Sequence, residues 1–126
     1  MDYRFARRQL LHRYRAGELT RGDICDAQGE LLRIAANLSR KSTAPCPVCA
    51  ELKLRIVRFA FGPKLPSGGR VVEDNAHLRK LADRYAKSTG ARIYSVEVCV
   101  ACRWNHLLQI VPLGASVTPA RPVAKS

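Results

Sequence analysis

Residues 46–49 read Cys-Pro-Val-Cys, and residues 99–102 read Cys-Val-Ala-Cys. A structural zinc ion takes four ligands in a tetrahedron, and two thiolates three positions apart in a tight turn can both face one ion. Each pair lies beside a predicted strand, so pairing of those strands would bring the two turns together. The spacing predicts one structural zinc ion in a zinc-ribbon arrangement, with the ligands Cys46, Cys49, Cys99 and Cys102.

Other uses of the cysteine pairs are disfavoured. A thioredoxin-like dithiol opens a helix after a strand, whereas Cys49 precedes a predicted strand. A catalytic zinc ion keeps one position open for water, and four cysteines close the shell. His106 follows Cys102 by four residues and could replace a ligand. It shares strand parity with Trp104 and Leu108, however, which is typical of a half-buried histidine.

The ion is expected to hold the second half of the chain together. At the length of residues 44–114, a hydrophobic core alone supplies about 3 to 5 kcal/mol of stability. A structural zinc ion contributes on the order of 10 kcal/mol. Arg103, next to Cys102, is a candidate for offsetting the negative charge of four thiolates.

The chain has 126 residues and a formal net charge of +12, from 22 Lys and Arg against 10 Asp and Glu. Its charged fraction of 25% is typical of globular proteins, so we expect one folded basic protein. Lys or Arg interrupts every apolar run, which argues against a membrane span, and residues 1–8 lack the apolar stretch of a secretory signal. We therefore expect a cytoplasmic protein with reduced thiols, and five cysteines fit poorly with a disulfide framework.

Apolar residues at helical spacing predict a first helix over residues 3–16, ended by Gly17. On this helix Arg4, Arg8 and Arg15 fall on one side. Such a stripe is either a solvated face or a contact for nucleic acid or another acidic partner.

A second helix is predicted to begin at Arg21, because Thr20 and Asp23 have the spacing of a capping box. Gly29 interrupts the pattern that follows, so the helix is expected to break into a short and a longer piece. A helix-turn-helix is conceivable, but three short helices packed against the rest of the chain explain the pattern better. Cys25 lies near the apolar face of the second helix and is interpreted as a small buried thiol.

The second half of the chain has the predicted order strand, loop, helix, strand, strand. Apolar residues change sides along the first strand, which predicts a bulge or a strong twist near Ile56. The last strand is apolar enough to be central in its sheet. The elements are predicted at residues 52–61, 62–70, 73–88, 93–100 and 104–113.

Together these elements predict an α+β fold, in which short N-terminal helices pack on a zinc-ribbon-like antiparallel sheet with one inserted helix. We expect an N-terminal helical segment over residues 1–43, a zinc-ribbon-like module over residues 44–114 and a flexible tail over residues 115–126. The polar stretch at residues 41–45 is interpreted as a linker between the first two.

Six short stretches form a specific combination: Cys25–Ala27, Glu30–Ala35, Pro45–Cys49, Val96–Cys99 with Cys102, Trp104–Leu107 and Leu113–Gly114. The combination resembles a family of short actinobacterial proteins catalogued as a domain of unknown function, and it spans nearly the whole chain. The resemblance implies one intracellular unit with two Cys-x-x-Cys pairs and no established activity. It also implies that Asp26, Trp104, Asn105 and His106 belong to the recurrent pattern of the family. Residues 28–29 are Gln-Gly where the family has an Asp-Pro helix start.

For function, we expect a zinc-stabilised basic module that engages nucleic acid or a transcription or translation complex, because a +12 chain attracts polyanions. A protein–protein adaptor or regulator that uses residues 104–106 is the alternative, since Trp is a frequent interface anchor, although a lone Trp also fills cores. A thiol redox protein is a second alternative. No nucleophile, base and orienting group occur in series, so we expect no enzyme. The candidate binding surface comprises Arg4, Arg8, Arg15, Lys53, Arg55, Arg58, Arg103, Trp104, Asn105 and His106.

Overall fold

An antiparallel sheet forms the centre of the molecule. The structure, a computed structural model, describes residues 1–85 and 90–113. Four strands are ordered β1-β2-β4-β5, and the short strand β3 also pairs with β2. The strands are β1 Arg40–Pro45, β2 Lys53–Phe61, β3 Arg70–Val71, β4 Arg92–Val98 and β5 Asn105–Pro112.

Helices cover both faces of this sheet, so the predicted α+β class is confirmed. The part of the chain that the structure describes contains α1 Arg4–Arg15, α2 Arg21–Ile24, α3 Gly29–Asn37 and α4 Asn75–Arg84. None of these helices has the length and apolar character needed to cross a bilayer. The tail predicted at residues 115–126 lies outside the described residues.

The N-terminal helices begin and end at local signals in the sequence. The N–H of Asp23 donates to the hydroxyl of Thr20 at 3.2 Å, and the N–H of Thr20 donates to the carboxylate of Asp23 at 2.8 Å. This capping box starts α2, which is only one turn long, and a new helix starts at Gly29. The arrangement matches the predicted three short helices.

Strand β2 contains no bulge near Ile56, so the bulge predicted there was wrong. Residues 55–61 pair with residues 92–98 of β4 in one unbroken register. Val57 packs beneath α3 on one face of the sheet, whereas Ala60 packs beneath α4 on the other face. The apolar residues change sides along a regular strand because the helices that cover it change sides.

The polar stretch interpreted as a linker forms strand β1. Arg40 lies opposite Ile56, and Pro45 lies opposite Lys53, with an irregular register between them. Its side chains are mostly exposed. An edge strand tolerates polar residues and proline, because one side of its backbone is left without a ladder partner. This strand leads directly into Cys46.

Strand β5 lies at an edge of the strand order, not at the centre as predicted. The first residues of the chain pair with its outer side. The N–H of Tyr3 donates to the carbonyl of Leu108 at 2.8 Å, and the N–H of Ile110 donates to the carbonyl of Met1 at 2.9 Å. Because these first residues cover the outer side of β5, an apolar strand can occupy the edge of the sheet.

A buried acid ties α1 to the sheet. Glu97 on β4 is only 4% exposed. Its carboxylate accepts a hydrogen bond from Nε of Arg7 and another, at 2.8 Å, from Nε1 of Trp104. Trp104 itself is completely buried. The pairing of Arg7 with Glu97 holds α1 over the end of the sheet that carries the cysteine turns.

We expect Arg7→Met to lower the free energy of unfolding by about 3 kcal/mol, because it leaves a buried carboxylate without its cation. Arg13→Met is the matched control on the same helix. The Arg13–Glu18 pair is exposed on both sides, and such pairs are worth less than about 1 kcal/mol. Urea unfolding of both variants measures the difference, and equal small losses would contradict this role of Arg7.

Candidate metal centre

Two turns with the same backbone hydrogen bond carry the cysteine pairs. In the first turn, the N–H of Ala50 donates to the carbonyl of Cys46 at 3.0 Å. In the second, the N–H of Arg103 donates to the carbonyl of Cys99, also at 3.0 Å. Ala50 and Arg103 both adopt positive φ, at 55° and 77°. The chain therefore reverses in the same way directly after each cysteine pair.

The sheet brings the two turns together. The N–H of Cys46 donates to the carbonyl of Leu52 at 2.9 Å, and the N–H of Cys99 donates to the carbonyl of Trp104 at 2.8 Å. Strand β2 begins just after the first turn, and β4 ends just before the second. Because β2 and β4 are antiparallel neighbours, the two turns lie side by side.

The sulfur atoms of Cys46, Cys49, Cys99 and Cys102 all lie within 4.8 Å of one another. The Cys46–Cys102 and Cys49–Cys99 sulfur distances are both 3.7 Å, and each joins one turn to the other. A tetrahedral zinc ion with Zn–S bonds of about 2.3 Å requires sulfur separations of about 3.8 Å. The four cysteines predicted to meet do meet, and they could hold a metal ion.

Burial makes two of these thiols costly to ionise without a cation. It raises the pKa of the Cys99 thiol and that of the Cys102 thiol. At Cys49 burial acts in the same direction, but the N–H of Glu51 and the neighbouring thiols outweigh it, so the pKa of Cys49 is lowered. A bound cation would stabilise the thiolate form of all four ligands.

Cys25 lies beside the centre, which the sequence interpretation missed. Its Sγ is 3.6 Å from the Sγ of Cys102. It follows the last residue of α2 rather than lying within a longer helix. Arg21 of the same helix interacts electrostatically with both thiols.

A family model described as a family of unknown function (DUF5318) matches residues 1–126. The chain belongs to this family. Its relatives include uncharacterized proteins from Mycobacterium bovis and Mycobacterium tuberculosis, each 36% identical over 122 residues. Those matches cover 97% of this chain and 86% of each relative. No solved structure matches the chain significantly. The predicted family is thereby confirmed.

The four residues that the resemblance implied to be recurrent, Asp26, Trp104, Asn105 and His106, lie next to the second cysteine turn. Nδ2 of Asn105 donates to the carboxylate of Asp26 at 2.9 Å. His106 is half-buried and stacks on Trp104, with 5.9 Å between ring centroids. His106 is not part of the four-sulfur group. These residues therefore pack and position the turn, and Trp104 is too deeply buried to anchor a partner at the surface.

The basic residues of the candidate surface do not form one patch. Arg4, Arg8 and Arg15 lie on the exposed side of α1, and Lys53 and Arg103 are exposed elsewhere. Arg55 and Arg58 are half-buried and, by strand alternation, point to opposite faces of β2. Arg58 donates to the side chain of Asn75 at 3.1 Å. Of the candidate residues, Arg8 and Arg15 line one groove beside α1, whereas Arg4 is paired with Asp2.

We expect Ala50→Gly to raise the free energy of unfolding by about 1 kcal/mol, since a left-handed residue with a Cβ is strained and glycine is not. Ala36→Gly is the matched control, because Ala36 is an exposed residue of helix α3, where the same change costs about 1 kcal/mol. Chemical unfolding of both variants measures whether each change raises or lowers the free energy of unfolding. A loss of stability for both would show that the turn has another conformation.

Proposed function

We propose that this protein is a zinc-stabilised basic module that binds nucleic acid through the exposed side of α1. The observation that carries the proposal is an exposed aromatic ring, Phe5, surrounded by arginines next to the first cysteine turn. The zinc ion has a structural role and no catalytic one. It fixes the helix that presents the binding residues.

The donor set supports zinc as the resident ion. Four sulfur ligands in a tetrahedral arrangement are typical of zinc and of iron–sulfur sites. Cys46 and Cys99 are 2% and 0% exposed, so half of the ligand set is shielded from water. With every ligand position filled by cysteine, no position is left for a reactive water molecule.

Protein purified without chelator should contain about one zinc ion per chain, as measured by elemental mass spectrometry. Cys99→Ser should abolish this metal content and the cooperative unfolding transition, because it removes a buried ligand. Cys25→Ser is the matched control and should retain the ion, since Cys25 is outside the four-sulfur group. Iron in place of zinc, or metal-free folded protein, would contradict the proposal.

The exposed side of α1 has the composition of a contact for nucleic acid. Phe5 is 63% exposed, and the guanidinium of Arg8 lies 5.7 Å from the centre of its ring. With Arg15, His12 and Pro47 these residues line a shallow groove. Arginine binds phosphates, and an exposed aromatic ring stacks on unpaired bases. Neither Arg8 nor Arg15 takes part in an ion pair within residues 1–85 and 90–113.

The buried residues of α1 pack against the candidate metal centre. Leu11 is 3% exposed and packs in one cluster with Cys46, Cys99 and Trp104. Tyr14 packs against the same cluster. Metal binding would therefore hold the groove in place, since Pro47 of the first cysteine turn lies at its side.

The double variant Arg8→Gln with Arg15→Gln should weaken binding to a mixed-sequence single-stranded oligonucleotide. The slope of log K against log salt should fall by about 1.4, because about 0.7 counterions are released per phosphate contact. Arg79→Gln with Lys80→Gln removes the same charge from exposed positions of α4 and is the matched control. Fluorescence anisotropy over a salt series measures both.

Phe5→Ala should cost about 1 to 3 kcal/mol of affinity for single strands and much less for duplex, where the bases are already stacked. Equal effects of the α1 and α4 variants would show that only net charge matters. A wild-type protein without salt-dependent affinity would contradict nucleic-acid binding, and a protein partner would then be the remaining candidate.

A further inference from the structure

Cys25 is a fifth thiol at the metal centre. The distance of 3.6 Å between its sulfur and that of Cys102 is as short as the 3.7 Å between sulfurs of the four-cysteine group. A tetrahedral ion is saturated by four thiolates, so no ligand position is left for Cys25. Its S–H is instead a hydrogen-bond donor to the sulfur of Cys102.

Several contacts that involve no metal hold Cys25 against the second turn. The N–H of Ala27 donates to the carbonyl of Arg103 at 3.0 Å. Asp26 accepts the hydrogen bond from Asn105 on the first residue of β5. The segment that carries Cys25 is thus bonded to Arg103, the residue that follows Cys102, and to Asn105. The short sulfur–sulfur distance is built into the fold.

The contact between Cys25 and Cys102 lies on the solvent-accessible side of the four-cysteine centre. Cys46 and Cys99 are buried, whereas Cys25 and Cys102 are both partly exposed. A small oxidant dissolved in water can therefore reach the pair of sulfurs that already touch. Disulfide formation requires an accessible sulfur and a second thiol within reach of it.

We propose that Cys25 and Cys102 are an oxidation site that responds to hydroperoxides by forming a disulfide and releasing the metal ion; this rests on the proposed zinc centre. The Cys102 thiolate attacks one oxygen of hydrogen peroxide, the O–O bond breaks, and hydroxide leaves, which gives a sulfenic acid. The sulfur of Cys25 then displaces the sulfenic oxygen, which takes up the thiol proton and leaves as water. Peroxide is reduced, two sulfurs are oxidised, and the ion loses one of its four ligands.

This site extends the proposed function to regulation. Three remaining cysteines bind the ion less tightly than four, and the oxidised Cys102 is no longer a ligand. Since α1 packs on the cluster that contains these cysteines, metal loss would also loosen the basic groove. Peroxide is thus expected to weaken contact with an oligonucleotide, and a reductant with added zinc is expected to restore it.

The test compares the zinc-loaded full chain with its Cys25→Ala and Cys25→Ser variants. Metal analysis before oxidation establishes the starting content and reports on the zinc proposal separately. Hydrogen peroxide is then added, and a chromogenic chelator follows zinc release. Trypsin under non-reducing conditions gives residues 22–33, 42–53 and 93–103 as three separate cysteine-containing peptides. Fragmentation of the cross-linked pairs identifies the sulfurs that are joined.

In the wild-type protein we expect a major product that joins residues 22–33 to 93–103 through Cys25 and Cys102. Zinc release from both variants should be several-fold slower, because no resolving thiol lies beside the sulfenic acid. Dithiothreitol with zinc should reverse the wild-type reaction. A major disulfide between residues 42–53 and 93–103, or equal release rates, would overturn the proposal. Loss of zinc from the unoxidised Cys25→Ser and Cys25→Ala variants would also overturn it, since Cys25 would then be a ligand.

Discussion

Antiparallel pairing of β2 with β4 is the constraint on which the rest of the molecule depends. The first cysteine turn precedes β2 and the second follows β4, so only this pairing brings four sulfurs to one place. Each turn then reverses at a left-handed residue, Ala50 or Arg103. The centre is therefore a consequence of sheet register, and an ion bound there would in turn lock the register.

The N-terminal helices depend on the same end of the sheet. Leu11 and Ile24 pack in the cluster that contains two of the metal-site cysteines. The buried Glu97 adds directional bonds, since it accepts from Arg7 of α1 and from Trp104 of the sheet. Apolar packing, a buried ion pair and the sulfur cluster thus lie in contact, and a change in one is expected to affect the others.

Features set by local chemistry could be predicted from the sequence. The two Cys-x-x-Cys pairs identify the four cysteines that meet, and the Thr20–Asp23 capping box places the start of α2. Helix α4 also follows its apolar periodicity. Features set by distant neighbours could not be predicted in this way. The apolar residues on either side of Ile56 indicate a bulge only if one face of the sheet is assumed to be covered, and here both are.

The position of Cys25 also depends on distant neighbours, because residues near 103–105 hold it in place. A sequence signal that could have drawn attention to it is its place, with Asp26 and Ala27, among the stretches that carry the family resemblance. Strand β1 was not predicted either, because its formation also depends on residues that are distant in the sequence. Its partners are backbone groups of β2, and such pairing leaves little trace in the side chains of an exposed edge.

The separation of the two cysteine turns along the chain affects the order in which the protein can assemble during translation. The ribosome synthesises residues 46–49 well before residues 99–102, so half of the ligand set emerges with no complementary half available. Until Cys102 leaves the ribosomal exit tunnel, the N-terminal helices have no completed cysteine cluster against which to pack. The four-sulfur cluster therefore cannot be complete before Cys102, near the end of the described residues, has been synthesised, whereas the three cysteines that precede Cys99 are made well before it.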